Sequence, residues 1–97
     1  MKNLKEILFK VAVDAIYGDT SIVVKDVCFN SKKVKKDSLF VAISGYNVDG
    51  HNFISDAINN GATTIVCERL PESFKNLKLV LVKVKCSKSA LSIISSN

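Results

Sequence analysis

Residues 39–61 constrain the possible folds of this chain more than any other stretch. Residues 39–43 form an apolar run with the length and β-branched content of a buried strand. A polar loop containing Gly45 and Gly50 follows, and the apolar spacing then changes to that of one helix face over residues 52–60. Gly61 suits the left-handed position just past a helix end. This order of strand, loop and helix predicts an α/β domain with its ligand site at the carboxyl end of the strand.

The flanking segments predict further strands and helices. An apolar stripe at i, i+3 and i+4 near the N-terminus indicates an amphipathic helix with Asn3 as its N-cap. Ser87 is predicted to cap a helix close to the C-terminus. The predicted elements are a helix over residues 3–16, strands over 22–29, 39–43, 63–67 and 77–84, and helices over 52–60 and 89–95. Residues 39–67 then form a βαβ unit, and the strand over 77–84 is expected to be central. We therefore expect a small mixed, mostly parallel sheet flanked by helices.

Length and composition indicate a single domain over residues 1–97. The chain is 47% hydrophobic, and its apolar runs are far shorter than the roughly 20 residues that a membrane span needs. Its N-terminus carries charge but no secretory apolar region, which predicts a cytoplasmic protein without a membrane partner. The last predicted helix runs into Asn97 without a stop signal. We interpret this as a piece of a longer protein.

The cysteines and the charge narrow the possible ligands. Cys28, Cys67 and Cys86 lack metal-ligand spacing, so we expect small buried side chains in a reducing compartment. His51 is the single histidine, and no metal site is predicted. The net charge of +5 is compatible with nucleic acid, a nucleotide or phosphate.

The loop chemistry favours binding over catalysis. The sequence contains no phosphate-binding loop, dinucleotide fingerprint or nucleophile elbow. Asp49 and His51 are expected to shape the loop and not to act as a catalytic pair. Gly45 and Gly50 allow backbone N–H groups to approach an anion, and the N-terminus of helix 52–60 adds a favourable dipole. Tyr46 could stack on a base or simply cover the loop. These features favour an anionic ligand with a planar group.

Several linked motifs resemble the start of the Mur ligase family. Residues 30–34, Asn-Ser-Lys-Lys-Val, resemble the family's Asp-Ser-Arg-Lys-Val signature. Residues 39–43, 45–54, 57, 61–62, 65–68, 82–84, 89–91 and 97 continue the pattern, so the similarity covers almost the whole chain. The Tyr-Asn-Val-Asp-Gly-His form of residues 46–51 looks most like the ligase that adds the third amino acid to UDP-N-acetylmuramoyl-L-alanyl-D-glutamate. The sister ligase that adds D-alanyl-D-alanine has a similar loop and remains an alternative.

This resemblance implies the N-terminal substrate-binding domain of a peptidoglycan-precursor ligase. Its partner would be the UDP-N-acetylmuramoyl-dipeptide. The central ATP-binding domain and the C-terminal domain of the same parent chain would bind ATP, Mg²⁺ and the incoming amino acid. No cofactor, catalytic residue or independent activity is expected within residues 1–97.

The resemblance also implies roles for individual residues. The substrate-binding set is Phe29, Ser31, Tyr46, Asn47 and Val48. The set that supports the loop or makes secondary contacts is Asn30, Lys32, Gly45, Asp49, Gly50 and His51. Asn30 and Lys32 replace the usual Asp and Arg. Because Asn30 cannot supply a carboxylate, we expect this segment to be held differently.

Two readings from other classes compete with a ligase domain. A basic module would bind nucleic acid through Lys32, Lys33, Lys35 and Lys36, but residues 30–38 contain no aromatic side chain for base stacking. An interaction domain without a small ligand is the other alternative.

Overall fold

The computed structural model describes residues 2–45, 48–72 and 78–97. Over these residues the chain forms an α/β fold with a mixed β-sheet flanked by helices. The strands are β1 (Lys2–Asn3), β2 (Val13–Tyr17), β3 (Val23–Val24), β4 (Asp26–Cys28), β5 (Ser38–Val41), β6 (Thr64–Cys67) and β7 (Val80–Val84). The α-helices are α1 (Leu4–Ile7), α2 (Ile54–Asn59) and α3 (Ser87–Ser96), and the 3-10 turns are η1 (Ser31–Lys33) and η2 (Gly50–Phe53). The main sheet has the order β2-β7-β6-β5-β4. All of its neighbours pair in parallel except β2 and β7, so the predicted mostly parallel sheet is confirmed.

Apolar side chains fill both faces of the main sheet. Every residue of β5 and β6 is buried, as is usual for parallel strands covered on both sides. Leu39 and Val41 of β5 belong to one cluster, with α1 and α3, whereas Phe40 belongs to the other, with α2. The period-two alternation of a strand thus distributes one continuous apolar run between two cores.

The N-terminal helix predicted over residues 3–16 is wrong beyond its first turn. Asn3 does cap α1, since its side chain accepts a hydrogen bond from the backbone N–H of Lys5. The helix ends at Ile7, and Lys10 adopts a left-handed conformation at φ +69°. Residues 13–17 then form β2, antiparallel to β7. Their β-branched and aromatic side chains suit a strand, and pairing with the free edge of β7 outweighs the helical spacing.

Several other boundaries also differ from the prediction. The strand expected over residues 22–29 is divided between two sheets, because β3 pairs with β1 and β4 with β5. The strand expected from residue 77 begins at Val80, and residue 77 itself lies outside the described part of the chain. Cys86, not Ser87, occupies the N-cap position of α3, and Ser87 is the first helical residue. β7 is an interior strand between β2 and β6, with β6 at the centre of the sheet.

The expected βαβ unit is present as β5, α2 and β6. The two strands are parallel neighbours, and the predicted helix consists of η2 followed by the six residues of α2. Gly61 has the predicted positive φ, at +116°, and a Cβ there would lie 2.8 Å from Cα of Lys36. Glycine is required at this close approach.

Two further observations concern the cysteines and the helices. Cys28 and Cys67 are buried as expected, whereas Cys86 is exposed, and all three are free. Among the described residues, no helix is long and apolar enough to cross a membrane.

Candidate ligand-binding cleft

The parallel strands end together at one edge of the main sheet, here called the carboxyl edge. Phe29 follows β4, Ser44 follows β5 at a short distance, Glu68 follows β6 and Ser87 lies just beyond β7. In open α/β sheets, ligands bind outside these strand ends. The fold therefore brings segments that are distant in sequence to one surface.

A cleft of about 410 Å³ opens at the carboxyl edge between β4 and β5. Its lining consists of Phe29, Asn30, Ser31, Lys32, Phe40, Ile43, Val48, Gly50 and Phe53. Three of these residues, Phe29, Ser31 and Val48, belong to the substrate-binding set expected from the sequence. Phe29 is 66% exposed and Val48 is 61% exposed, so large apolar side chains face solvent at the mouth of the cleft. Tyr46 and Asn47 of the same set lie outside the described residues.

The β4 side of the cleft is formed by the turn η1. The side-chain oxygen of Asn30 accepts a hydrogen bond from the backbone N–H of Lys32 at 3.0 Å and caps the turn. The side-chain amide of Asn60, at the end of α2, donates to the carbonyl oxygen of Ser31 at 2.9 Å. Asn30 therefore holds this turn as a cap, for which an amide oxygen serves as well as a carboxylate.

The β5 side depends on close backbone approaches at two glycines. The N–H of Gly50 donates to the carbonyl oxygen of Ile43 at 2.7 Å, and a Cβ on Gly50 would lie 2.6 Å from the backbone nitrogen of Ile43. A Cβ on Gly45 would lie 2.2 Å from the carbonyl oxygen of Val48. Both positions therefore exclude any larger residue without a backbone shift.

Asp49 and His51 hold this loop to the end of β6. Asp49 accepts hydrogen bonds from the backbone N–H of His51 at 3.0 Å and lies 2.8 Å from Nδ1 of the ring. Nε2 of His51 accepts from the backbone N–H groups of Glu68 at 2.9 Å and Arg69 at 3.3 Å. The tautomer with its proton on Nδ1 satisfies all of these contacts. Both ring nitrogens are thus occupied by structural hydrogen bonds, which leaves no free nitrogen for proton transfer.

Hydrogen bonding also keeps the carboxylate of Asp49 ionised. The backbone N–H of His51, then its ring, and then the guanidinium of Arg69 lower the pKa of Asp49 to about 2. Arg69 pairs directly with the second oxygen of this carboxylate.

Glu68 is a second anchor, for which the sequence motifs predicted no role. Its Oε1 accepts from the hydroxyl of Ser44 at 2.9 Å, and its Oε2 accepts from the backbone N–H of Ser87 at 2.7 Å and the hydroxyl of Ser87 at 2.9 Å. These hydrogen bonds, led by the Ser87 N–H, lower the pKa of Glu68. The available signal was positional, since Ser44, Glu68 and Ser87 each follow a predicted parallel strand.

A basic groove of about 760 Å³ adjoins the cleft and shares Phe29, Asn30 and Lys32 with it. Lys33 and Lys35 also line this lysine groove, together with Asp26. The apolar cleft beside ammonium groups provides a surface for a planar group attached to an anion. Within the described ranges, no group of three His, Cys, Asp or Glu residues could hold a metal ion.

Comparison with known proteins identifies a family. A family model described as "Mur ligase family, catalytic domain" matches residues 23–97. The UDP-N-acetylmuramoyl-L-alanyl-D-glutamate–2,6-diaminopimelate ligase of Cytophaga hutchinsonii is 43% identical over 95 residues, which cover 98% of this chain and 20% of that protein. The ligase of the same name from Clostridium tetani is 38% identical over 96 residues, which cover 98% of this chain and 20% of that protein. The chain therefore spans about a fifth of the length of these curated relatives.

Solved structures give the same architecture. A crystal structure of MurF from Acinetobacter baumannii matches with a TM-score of 0.78 at 19% identity, covering 97% of this chain and 20% of that one. MurF ligase from Thermotoga maritima in complex with ADP matches with a TM-score of 0.63 at 33% identity, covering 74% of this chain and 16% of that one. The match at 19% identity bears on the fold alone.

Proposed function

This chain belongs to the Mur ligase family, and we propose that residues 1–97 are the N-terminal, substrate-binding domain of a peptidoglycan-precursor ligase. The parent enzyme would add the third amino acid to UDP-N-acetylmuramoyl-L-alanyl-D-glutamate. The identity of 43% to a relative whose name specifies this acceptor supports the choice. Because the chain spans about a fifth of such relatives, the reaction is assigned to the parent enzyme and not to this domain.

The cleft at the carboxyl edge is the observation that carries this proposal. Phe29 and Val48 offer exposed apolar surface suited to a planar base, and Ser31, the first residue of η1, adds a hydroxyl-bearing side chain to the lining. Lys32 extends from the cleft into the lysine groove, where ammonium groups would balance the charge of a diphosphate. We propose that Tyr46 and Asn47 complete the contacts with the UDP-sugar.

The supporting set would keep this cleft in shape. Asn30 caps η1, Gly45 and Gly50 permit the tight loop, and Asp49 and His51 fix the loop to β6. Such directed contacts reduce the ordering that a ligand would otherwise have to impose on binding. The domain would thus contribute affinity and orientation.

ATP and Mg²⁺ are assigned to the other domains of the parent. The sequence has no phosphate-binding loop, and the described residues contain no metal-binding cluster. The proposed location of the parent enzyme is the cytoplasm, where its nucleotide-linked substrate and ATP are both available.

Two alternatives lead to different measurements. A sister ligase that adds D-alanyl-D-alanine would share this domain architecture, and an assay of the parent enzyme with each amine would separate the two activities. A nucleic-acid module would use the lysine groove, which contains Phe29 as its aromatic side chain. That module would bind random oligonucleotides in a strongly salt-dependent manner and would ignore UDP-sugars.

Calorimetric binding of UDP-N-acetylmuramoyl-L-alanyl-D-glutamate tests the proposal through matched variants. Phe29→Ala should weaken binding about tenfold, because the ring would lose its stacking contact. Phe9→Ala is the matched control, since Phe9 is similarly exposed, at 63%, but does not line the cleft. Equal loss in both variants, or unchanged binding by Phe29→Ala, would contradict the proposal.

A further inference from the structure

The Glu68 carboxylate joins two segments that do not otherwise belong to one site. One oxygen accepts from Ser44, just after β5, and the other accepts two hydrogen bonds from Ser87, the first residue of α3. Ser87 is fully buried, so its N–H and hydroxyl have no access to water as a substitute partner. The carboxylate therefore satisfies buried donors while it bridges the loop and the helix.

The same end of β6 holds the other end of the loop. The backbone N–H of Glu68 donates to the His51 ring, and the next residue, Arg69, pairs with Asp49. Residues 68 and 69 thus contact the loop on both sides of the cleft residue Val48. The contact before it is with Ser44, and the contacts after it are with Asp49 and His51. Neither Glu68 nor Ser87 lines the cleft.

We infer that Glu68 is a positioning residue, which sets Ser44 and residues 48–51 of the ligand loop against the first turn of α3. The effect of Glu68 on substrate binding rests on the proposed function. Its physical content is that the position of Val48 depends on Ser87, a buried residue on a different element. A substitution at Ser87 should therefore change the position of Val48 in the cleft through Glu68.

Replacement of Glu68 by glutamine separates hydrogen bonding from charge. A glutamine oxygen could accept from both groups of Ser87, and its NH₂ could donate to Ser44, whose hydroxyl also accepts. Glu68→Gln should accordingly keep ligand affinity within about threefold of the unmodified chain. Glu68→Ala leaves the buried donors of Ser87 without this partner and should weaken binding about tenfold.

Variants of the two serines test the same connection without removing the carboxylate. Ser44→Ala and Ser87→Ala each delete one hydrogen bond to Glu68 and should each weaken binding about fivefold. Ser92→Ala is the control, because Ser92 is exposed on the same helix α3. These two serine variants remain informative if Glu68→Ala does not fold.

The decisive experiment records backbone amide spectra of the ligand-free chain together with affinities for UDP-N-acetylmuramoyl-L-alanyl-D-glutamate. Ser87→Ala should shift the amides of Val48 and Gly50, whereas Ser92→Ala should leave them in place. A general loss of stability would not produce this local pattern, nor would it explain retained affinity in Glu68→Gln beside weakened binding in Glu68→Ala.

The two proposals fail in different ways. If the unmodified chain binds the substrate, and Glu68→Ala and Ser87→Ala bind it equally well, the positioning role is overturned and the proposed function stands. If the unmodified chain does not bind, the proposed function is contradicted, and the ligand-free spectra still decide the positioning role. Unchanged loop amides in Ser87→Ala would then overturn it.

Discussion

The interior of the main sheet and its carboxyl edge are stabilised by different kinds of interaction. In the interior, Leu39, Val41 and Ile65 are fully buried and packed among other apolar side chains. At the edge, Ser44, His51 and Glu68 are held by directed hydrogen bonds between segments far apart in sequence. Apolar packing tolerates rearrangement, whereas these polar contacts each require a particular partner. We therefore expect interior changes to act chiefly on stability and edge changes to act chiefly on ligand binding.

The largest effect on stability is expected from a cavity in the interior. Ile65→Ala removes a fully buried side chain from the cluster beneath α2 and should cost about 2–5 kcal/mol of unfolding free energy. Urea denaturation measures this loss, and the molecules that remain folded should keep their ligand affinity. A cost below about 1 kcal/mol would mean that the interior can collapse around the missing atoms.

Gly50→Ala lies where the two regions meet, and we expect the next largest effect there. Its Cβ would lie 2.6 Å from the Ile43 nitrogen, a backbone atom that cannot move aside cheaply. The strain should cost about 1–3 kcal/mol and should also weaken ligand binding, because Gly50 lines the cleft. Urea denaturation and calorimetry of the same sample measure both quantities. Ser55→Ala, an exposed change in α2, is the control, and an unstrained Gly50→Ala would contradict the geometry.

Thr64→Val tests the comparison by removing a buried polar group from the interior of the sheet. The Thr64 hydroxyl is buried and has no hydrogen-bond partner among the described residues. Its replacement by a methyl group should raise the unfolding free energy by about 1 kcal/mol. Thr64→Ser, which keeps the hydroxyl and loses the methyl group, should lower it instead. If thermal or urea unfolding shows that both variants are destabilised, the hydroxyl has a partner in solution.

The smallest effect concerns acid stability at the carboxyl edge. The folded-state pKa of Asp49 is lowered to about 2, below its unfolded value of about 3.9. Its stabilising contribution is therefore complete above about pH 4 and is lost as the pH falls towards 2. Asp49→Asn should flatten the pH dependence of unfolding across this window, as measured by urea denaturation at several pH values. An unchanged profile would show that Asp49 contributes nothing to acid stability.

The sequence predicted those elements whose structure depends on local pattern. Residues 39–43 are a continuous apolar run and residues 63–67 are rich in β-branched side chains, which is typical of short strands buried on both faces. Gly61 was predictable because a left-handed helix end selects glycine.

The remaining features depend on contacts that are distant in sequence. The apolar stripe from Leu4 to Ala15 has the spacing of a helix face, yet the open edge of β7 makes residues 13–17 a strand. α1 is further terminated by the Asn97 side chain, which donates to the carbonyl oxygen of Ile7 across the whole length of the chain. The role of Glu68 could not be predicted for the same reason, since its partners Ser44 and Ser87 become its neighbours only in the folded sheet. For the site, Phe29, Ser31 and Val48 line one cleft, while their contacts with ligand remain predictions.

The central claim is that the carboxyl edge holds the ligand while the interior of the sheet supports it. Titration of the isotope-labelled chain with UDP-N-acetylmuramoyl-L-alanyl-D-glutamate, followed through the backbone amide spectrum, tests this most directly. We predict saturable shifts confined to residues 29–33 and 45–51, with UDP alone producing a subset of them. Shifts centred instead on the cavity between Val24 and Ile94, or no shifts at millimolar ligand, would contradict the account.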